Sequence, residues 1–297
     1  MPTLIDIKAF LTTARTGSFS AAAREIGIAP SVVTKRVGRL EYEIGSKLFV
    51  RSTRKLSLTS EAEQLRPRLQ LLVGELEDAL KGVQPPKRGI SGHLRIKSPQ
   101  TLGTMFVGPS VARFQAENPA ITTELRFVDR AVNPLEEGYD VALGALPQSY
   151  PSVLETPLCP YPRVLVATPT YLQRHGTPDT PSEIVRHRCL AFVPVGLSWS
   201  FQSASGPVSV DIPAVFTVND SRLLVYAAKE HLGMTVVPEF LVREELANGS
   251  LVPLLVDYPI VPLWFKALVP RNKAHRPEVA ALLEHLKQDF ATPPWDR

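Results

Sequence analysis

Apolar residues recur at helical spacing from the start of the chain. Leu4, Ile7, Phe10, Leu11 and Ala14 follow Thr3 and Asp6, a pair spaced as a capping box. A turn at Gly17-Ser18-Phe19 comes next, with Phe19 a plug for the core of a small helical domain. Residues 20–41, SAAAREIGIAPSVVTKRVGRLE, then hold two short helical patterns separated by Gly27-Ile28-Ala29. Ser20 is the predicted cap of the first helix and Gly27 its left-handed end. Pro30 opens the second, where a fixed φ and a missing N–H are tolerated. Val33, Val37 and Leu40 form the apolar face of that second helix, and its other side carries Ser31, Thr34, Lys35 and Arg39. This is helix-turn-helix spacing, and a polar, basic face starting at a helix N-terminus suits a reader of the DNA major groove. A surface helical hairpin with a solvated charged face is the alternative.

The period then changes. KLFVR (47–51) and KLSLT (55–59) alternate Leu48, Val50, Leu56 and Leu58 with polar residues, as in a short hairpin that forms the wing of a winged helix. Arg51, Arg54 and Lys55 sit at or beside its tip, within reach of backbone phosphate, and Arg36 is a further phosphate candidate. A long helix is predicted from Ser60, with Glu63 completing a capping box. Ala62, Leu65, Leu69, Leu72, Leu76, Ala79 and Val83 follow a 3,4 alternation, the seam of a coiled-coil dimer, with Pro67 interrupting its early part. Packing of this stripe on its own domain is the alternative.

A polar, proline-rich break at 84–89 separates this helix from a body in which strands and helices alternate. Strands are expected at 93–98, 121–128 and 139–146, then at 163–168, 189–193, 213–218 and 234–238. Helices intervene at 101–117, 134–137, 171–175, 221–230 and 240–246. Such alternation implies βαβ units and parallel sheets. A last strand at 263–269 and a helix at 277–290 return to the first sheet. The fold class is thus α+β multidomain. A winged helix-turn-helix spans 1–59, a linker helix 60–84, a hinge 85–92 and a two-lobed α/β domain 93–297. In that domain, lobe 1 holds 93–161 and 263–297, and lobe 2 holds 162–262.

Charge follows the same division. Residues 1–58 hold ten Lys/Arg against four Asp/Glu, a balance of +6, leaving 23 against 25, or −2, for the rest. That asymmetry favours a polyanion partner for the N-terminal part. Only Pro2 and Pro30 of 28 prolines fall in that part, as a compact helical unit requires. Two cysteines, Cys159 and Cys189, in 297 residues point to a reducing compartment. Without a membrane-length apolar run or a signal peptide, the expected location is the cytoplasm, with no membrane partner. His93, His175, His187, His231, His275 and His285 show no metal-ligand spacing. Phosphate-loop, dinucleotide-binding and GxSxG motifs are missing too, so neither a metal, a cofactor nor an enzyme activity is expected.

The segment FLTTARTGSFSAAAREIGIAPSVVTKRVGRLEYEIGSKLFVRSTRKLSLT (10–59) resembles the LysR-type transcriptional regulators, which show GSF, a run of alanines, a recognition helix ending in LE, then G, LF, R and LT. Weaker echoes follow in LEEGYDVAL (135–143), RVLVATPTYLQRHG (163–176), HRCL (187–190) and LGMTVVPEFLVREELANGSLVPLL (232–255). The resemblance implies a winged-helix DNA-binding domain, a linker-helix homodimer and a two-lobed sensor like a periplasmic binding protein. It also implies assembly as a homotetramer on an interrupted inverted repeat of double-stranded DNA. Dimer contacts would fall on Leu65, Leu69, Leu72, Leu76 and Val83. DNA contacts would come from Ser20, Pro30, Ser31, Thr34, Lys35, Arg36, Arg39, Arg51, Arg54 and Lys55. Many members carry Ser-Gln where this chain has Ala29-Pro30, so its base preference differs from theirs. Gly144 stands where an arginine often lies at the sensor cleft.

The resemblance also implies a small-molecule effector between the lobes. Pro99, Gln100 and Thr101 lie at one strand-to-helix junction, and Asn219, Asp220 and Ser221 at the equivalent one. Helix N-termini there suit a carboxylate or another small anion. Each of these residues taken alone is more often a helix cap. Asp129 and Arg130 are rim candidates. Trp199 and Phe201 are candidates for an aromatic wall, with core packing the alternative for at least one. Two other classes remain open from the residues: a small-molecule binding protein or α/β enzyme with a basic helical appendage, and an architectural DNA-binding protein without an effector.

Overall fold

The computed structural model describes residues 2–51, 56–81 and 90–297. Arg54, Lys55, Val83 and most of the predicted hinge lie outside these residues, as does the side chain of Arg51. Helix α1 (Leu4–Thr16) starts at the Thr3–Asp6 capping box, in which Asp6 accepts from the Thr3 N–H at 3.1 Å and its hydroxyl at 2.6 Å. Gly17 ends α1 at φ 66° and leaves Ser18 extended. Ser18 therefore caps α2 (Phe19–Ile26), accepting from the Ala21 N–H at 3.3 Å. The predicted cap, Ser20, lies exposed in the first turn instead. Gly27 (φ 75°) closes α2, and α3 (Pro30–Ile44) begins without a side-chain cap at Ala29. Ala9, Phe10, Ala22, Ala23, Val33, Val37 and Leu40 make one core.

Strands β1 (Phe49–Arg51) and β2 (Leu56–Leu58) pair antiparallel as the wing. Their register puts Phe49 opposite Leu58 and Val50 opposite Ser57. Phe49 is consequently the inward residue, edge-on to Phe10 at 5.6 Å and Phe19 at 5.5 Å, whereas Val50, predicted inside, faces water. Helix α4 (Ser60–Lys81) is capped by Thr59 rather than Ser60. The Thr59 hydroxyl accepts from the Ala62 N–H at 3.2 Å and donates to the Lys47 carbonyl at 2.8 Å, tying the helix start to the wing. The wing returns the chain against α1, so the first turns of α4 cover the domain's own core with Ala62, Leu65 and Leu69. These residues of the predicted seam thus pack within the domain, while Leu72 (52% exposed) and Leu76 (43%) remain uncovered.

The remainder forms two lobes, each around a five-stranded sheet. In lobe 1 the order is β4 (Ile121–Phe127), β3 (Gly92–Ser98), β5 (Val141–Gly144), β14 (Leu263–Pro270) and β6 (Val153–Tyr161). In lobe 2 it is β11 (Ala214–Val218), β8 (Cys189–Phe192), β12 (Met234–Pro238), β7 (Arg163–Ala167) and β13 (Val252–Pro253). In each sheet four strands run the same way and the fourth in order, β14 or β7, runs against both of its neighbours, so the sheets are mixed where parallel ones were predicted. The reversed strands are those by which the chain enters lobe 2 (β7) and returns to lobe 1 (β14). Strand β6 escapes a pattern reading because it carries Pro157 and Pro160; it tolerates them at the sheet edge, where it pairs with β14 alone.

Lobe 1 is completed by α5 (Gln100–Leu102), a π-helical turn at Gly103–Val107, α6 (Gly108–Glu117), α7 (Pro134–Glu137) and α11 (Pro277–Asp289). Lobe 2 holds α8 (Pro169–His175), α9 (Ser221–Lys229), α10 (Arg243–Asn248) and an unpredicted hairpin, β9 (Ser198–Ser203) with β10 (Gly206–Asp211). Trp295 braces the lobes, its ring 5.2 Å from Phe240 of lobe 2 and 5.4 Å from Phe106 of lobe 1. Helix α4 meets lobe 1 at α7: Arg66 pairs with the Glu136 carboxylate, and Gln70 Nε2 donates to the Glu136 carbonyl at 2.7 Å.

Candidate nucleic-acid interface and interlobe cleft

Helix α3 buries Val33, Val37 and Leu40, which leaves Ser31, Lys35 and Arg39 exposed and Thr34 and Arg36 half-buried on its free side. Ser20 and Pro30 are exposed at the adjoining helix starts. The Thr34 hydroxyl donates to the Pro30 carbonyl at 3.0 Å, so only its lone pairs face outward. Arg39 Nη1 lies 3.7 Å from the buried Asp6 carboxylate. Burial pushes the Asp6 pKa up, but its bonds from Thr3 and the charges of Arg39 and Arg36 outweigh that and hold it below the usual aspartate value. Lys35 has no ion partner among the described residues and is the freest cation on this face.

The element that holds the wing to α3 was not foreseen. Glu41, only 4% exposed, accepts from the Leu48 N–H at 2.9 Å, the Phe49 N–H at 3.3 Å and Lys47 Nζ at 2.9 Å. Burial raises its pKa, yet these bonds and the Lys47 charge leave it below the ordinary glutamate value. An acidic residue closing a helix just before a strand was the available signal.

Between the lobes lies a cleft of about 630 Å³, open mouth included. Of the sequence candidates, Pro99, Thr101, Asp129 and Ser221 line it. Asp129 Oδ1 accepts from the Gln100 N–H at 2.9 Å, and Oδ2 accepts from Asn219 Nδ2 of the other lobe at 3.4 Å. Asp220 is turned to its own helix, accepting from the Arg222 N–H at 2.8 Å and pairing with its guanidinium at 2.9 Å. Arg130 is held outside the cleft by a two-pronged pair with Glu137, at 2.6 and 2.8 Å. Trp199 and Phe201 are both core residues, 6% and 0% exposed, because β9 turns its apolar side into lobe 2 and its serines outward.

The cleft's aromatic surfaces are instead Tyr161 and Phe192. Tyr161 and Arg163 flank Pro162 where the chain crosses between lobes, a junction the lobe boundary had located without a role. Burial pushes the Tyr161 hydroxyl up and the Arg163 guanidinium down. Arg163 donates to the Val261 carbonyl at 2.8 Å, and its buried Nε has no partner among the described residues. Cys159 and Cys189 are free, buried in separate lobe cores, and burial pushes each thiol up to about 12. They are thiols rather than reactive thiolates at neutral pH.

A winged helix with a polar, basic recognition face, joined by a helix to two α/β lobes around a cleft, defines a DNA-binding regulator with a small-molecule sensor. Residues 4–63 match the family described as bacterial regulatory helix-turn-helix protein, lysR family, and residues 87–291 match the LysR substrate binding domain. The chain belongs to the LysR family of transcriptional regulators. It is 31% identical to the probable HTH-type transcriptional regulator LtrA of Klebsiella pneumoniae, over 96% of this chain and 94% of that one. Among solved structures, it is similar to full-length AphB, a virulence activator of Vibrio cholerae, with a TM-score of 0.62, 26% identity and coverage of 96% and 98%. It is also similar to CrgA of Neisseria meningitidis, with a TM-score of 0.58, 28% identity and coverage of 97% and 99%. These relatives are regulators, and the chain is a transcriptional regulator rather than an enzyme. Among the described residues no helix is long and apolar enough to cross a membrane.

Proposed function

We propose that this regulator works in the cytoplasm as a homodimer or homotetramer on an interrupted inverted repeat, under control of a small molecule held in the interlobe cleft. Two copies of α3 would enter successive major grooves about 34 Å apart. Leu72 and Leu76 of α4 are the natural start of the dimer seam, since the winged-helix core leaves both exposed. Replacing both by lysine is expected to leave monomers in light scattering and to weaken operator binding; an unchanged dimer mass would remove α4 as the seam.

One observation carries the effector reading. The loop from Asp129 to Asn133 joins a residue that bridges the cleft, through Asn219, to helix α7, which grips α4 through Glu136. A ligand that displaces the Asn219 contact would shift this loop and with it the linker helix. Such a ligand must favour one lobe arrangement over the other. The wall residues Leu102, Leu146, Tyr161 and Phe192 suit a molecule with an apolar body.

A thermal-shift screen of the full chain with small carboxylates, amides and alcohols tests this reading. A ligand present at 100 times its Kd stabilises by about 2.7 kcal/mol, roughly 5–10 °C for a domain of this size. The shift should vanish in Thr101→Trp, which fills the cleft, and the same ligand should alter operator affinity. A ligand whose shift survives Thr101→Trp binds elsewhere.

A further inference from the structure

Lobe 1 contains a second recess, opening from the cleft past Pro99, Asp129 and Leu146 and enclosing about 360 Å³ with its mouth. Its floor follows from strand register. Lys97 and Leu268 both lie opposite Ala142, and Lys266 lies opposite Gly144. These residues therefore share one sheet face, while Ile96, Leu143 and Ala267 point the other way into the core with α6 and α11.

Lys97 is 4% exposed. Its ammonium has one weak bond, to the Leu143 carbonyl at 3.4 Å, and no carboxylate within ion-pair distance among the described residues. Lys266 differs, being neutralised by Glu155 at 2.5 Å and bonded to the Gln148 carbonyl at 2.9 Å. Gly144 supplies the free space: a Cβ there would stand 3.9 Å from Lys97 Nζ and meet no other atom within 4 Å. A buried ammonium without a counter-ion is costly, and a cavity beside it lets an anion repay that cost.

The geometry points to a subsite for a single carboxylate head group, received by Lys97 Nζ above Gly144, with the ligand's apolar body lying in the interlobe cleft. This rests on the cleft reading and adds a ligand class, apolar monocarboxylates. The Asp129 carboxylate at the recess mouth would repel a second negative charge and so disfavours dicarboxylates.

The charged and titratable groups around Lys97 are Asp129 and Glu137, which favour its protonation, Arg130, which opposes it, and beyond them Tyr150 and the Lys266–Glu155 pair. Burial dominates and pulls its pKa down to about 8. A carboxylate needs the protonated form, so affinity should hold below that value and fall about tenfold per pH unit above it, about 30-fold by pH 9.5.

The probes are straight-chain monocarboxylates from butanoate to octanoate and their primary amides, measured by thermal shift and calorimetry on the full chain. At pH 7 at least one acid is expected to bind more tightly than its amide, with the pH dependence above. Lys97→Met should lower that acid's affinity about 10- to 100-fold, the effect of losing a charge-assisted bond, while raising the melting temperature of the unliganded protein. Gly144→Val, which keeps the lysine and fills the recess, should lower acid affinity as well. Acids and amides binding alike, with neither affected by Lys97→Met, would overturn the subsite and leave the cleft standing. No shift with any acid would overturn the subsite too. Acid binding lost in Lys97→Met but untouched in Thr101→Trp would keep the subsite and overturn the cleft as the seat of the ligand's body.

Discussion

Replacing Lys35 and Arg39 together by alanine is expected to weaken operator binding by roughly 10²- to 10⁴-fold per half-site, because a base-edge contact is worth about 1–3 kcal/mol and each half-site loses two. The loss should be smaller on random DNA, where only phosphate contacts count, so the specificity ratio should fall. Lys35 is the cleaner probe. Arg39 also faces the buried Asp6 carboxylate, and its removal withdraws one of the charges that keep Asp6 ionised at the start of α1. Hydrogen exchange on α1 separates that structural loss from lost DNA contact. Operator DNA selected in vitro, titrated beside random duplex at two salt concentrations, supplies the measurement. Equal specificity ratios for the two proteins would remove these residues from base reading.

Glu41→Ala should destabilise the N-terminal domain by about 2–4 kcal/mol. It strands the buried Leu48 and Phe49 N–H groups, and an unsatisfied buried donor costs about 1–3 kcal/mol. Glu41→Gln keeps an acceptor oxygen and should cost less. The sign of the pH effect follows from the lowered pKa. A depressed carboxylate contributes stability that is present above its unfolded value and lost as pH falls through its folded one. Acid should therefore loosen the wing in the wild-type protein, and Glu41→Gln should flatten that part of the profile. Exchange rates of the Leu48 and Phe49 amides between neutral pH and the acid limb would show it; unchanged protection in Glu41→Ala would exclude the anchor.

Both predictions concern a face whose elements were legible while their attachments were not. The left-handed glycines at 17 and 27 and the proline opening α3 act within a few residues, so pattern located them. The cap of α2 was misplaced by two residues because Ser18 and Ser20 both have the needed side chain. Only the backbone turn at Gly17 decides which one is extended. The stripe on α4 shows the same limit on a larger scale. One 3,4 repeat serves two purposes, since Leu65 and Leu69 meet the core of the N-terminal domain while Leu72 and Leu76 run past its edge. Periodicity reports that a face is apolar, not what covers it. Trp199 and Phe201 were aromatic candidates near the right lobe, but the pairing of β9 with β10 turned them inward.

The sequence by itself determined the helix-turn-helix and wing, the linker helix, the alternating elements of two lobes and the family. The elements rest on local spacing, capping chemistry and charge within short windows, and the family on the resemblance of residues 10–59 to its motifs. Tertiary structure alone decided that Glu41 ties the wing to the recognition helix and that Asp129 reaches across to Asn219. It likewise decided that Lys97 ends beside the empty place over Gly144. Those partners lie 7, 90 and 47 positions apart along the chain, and strand register or lobe placement brings them together. A buried charge is defined by what surrounds it, and that depends on the whole fold.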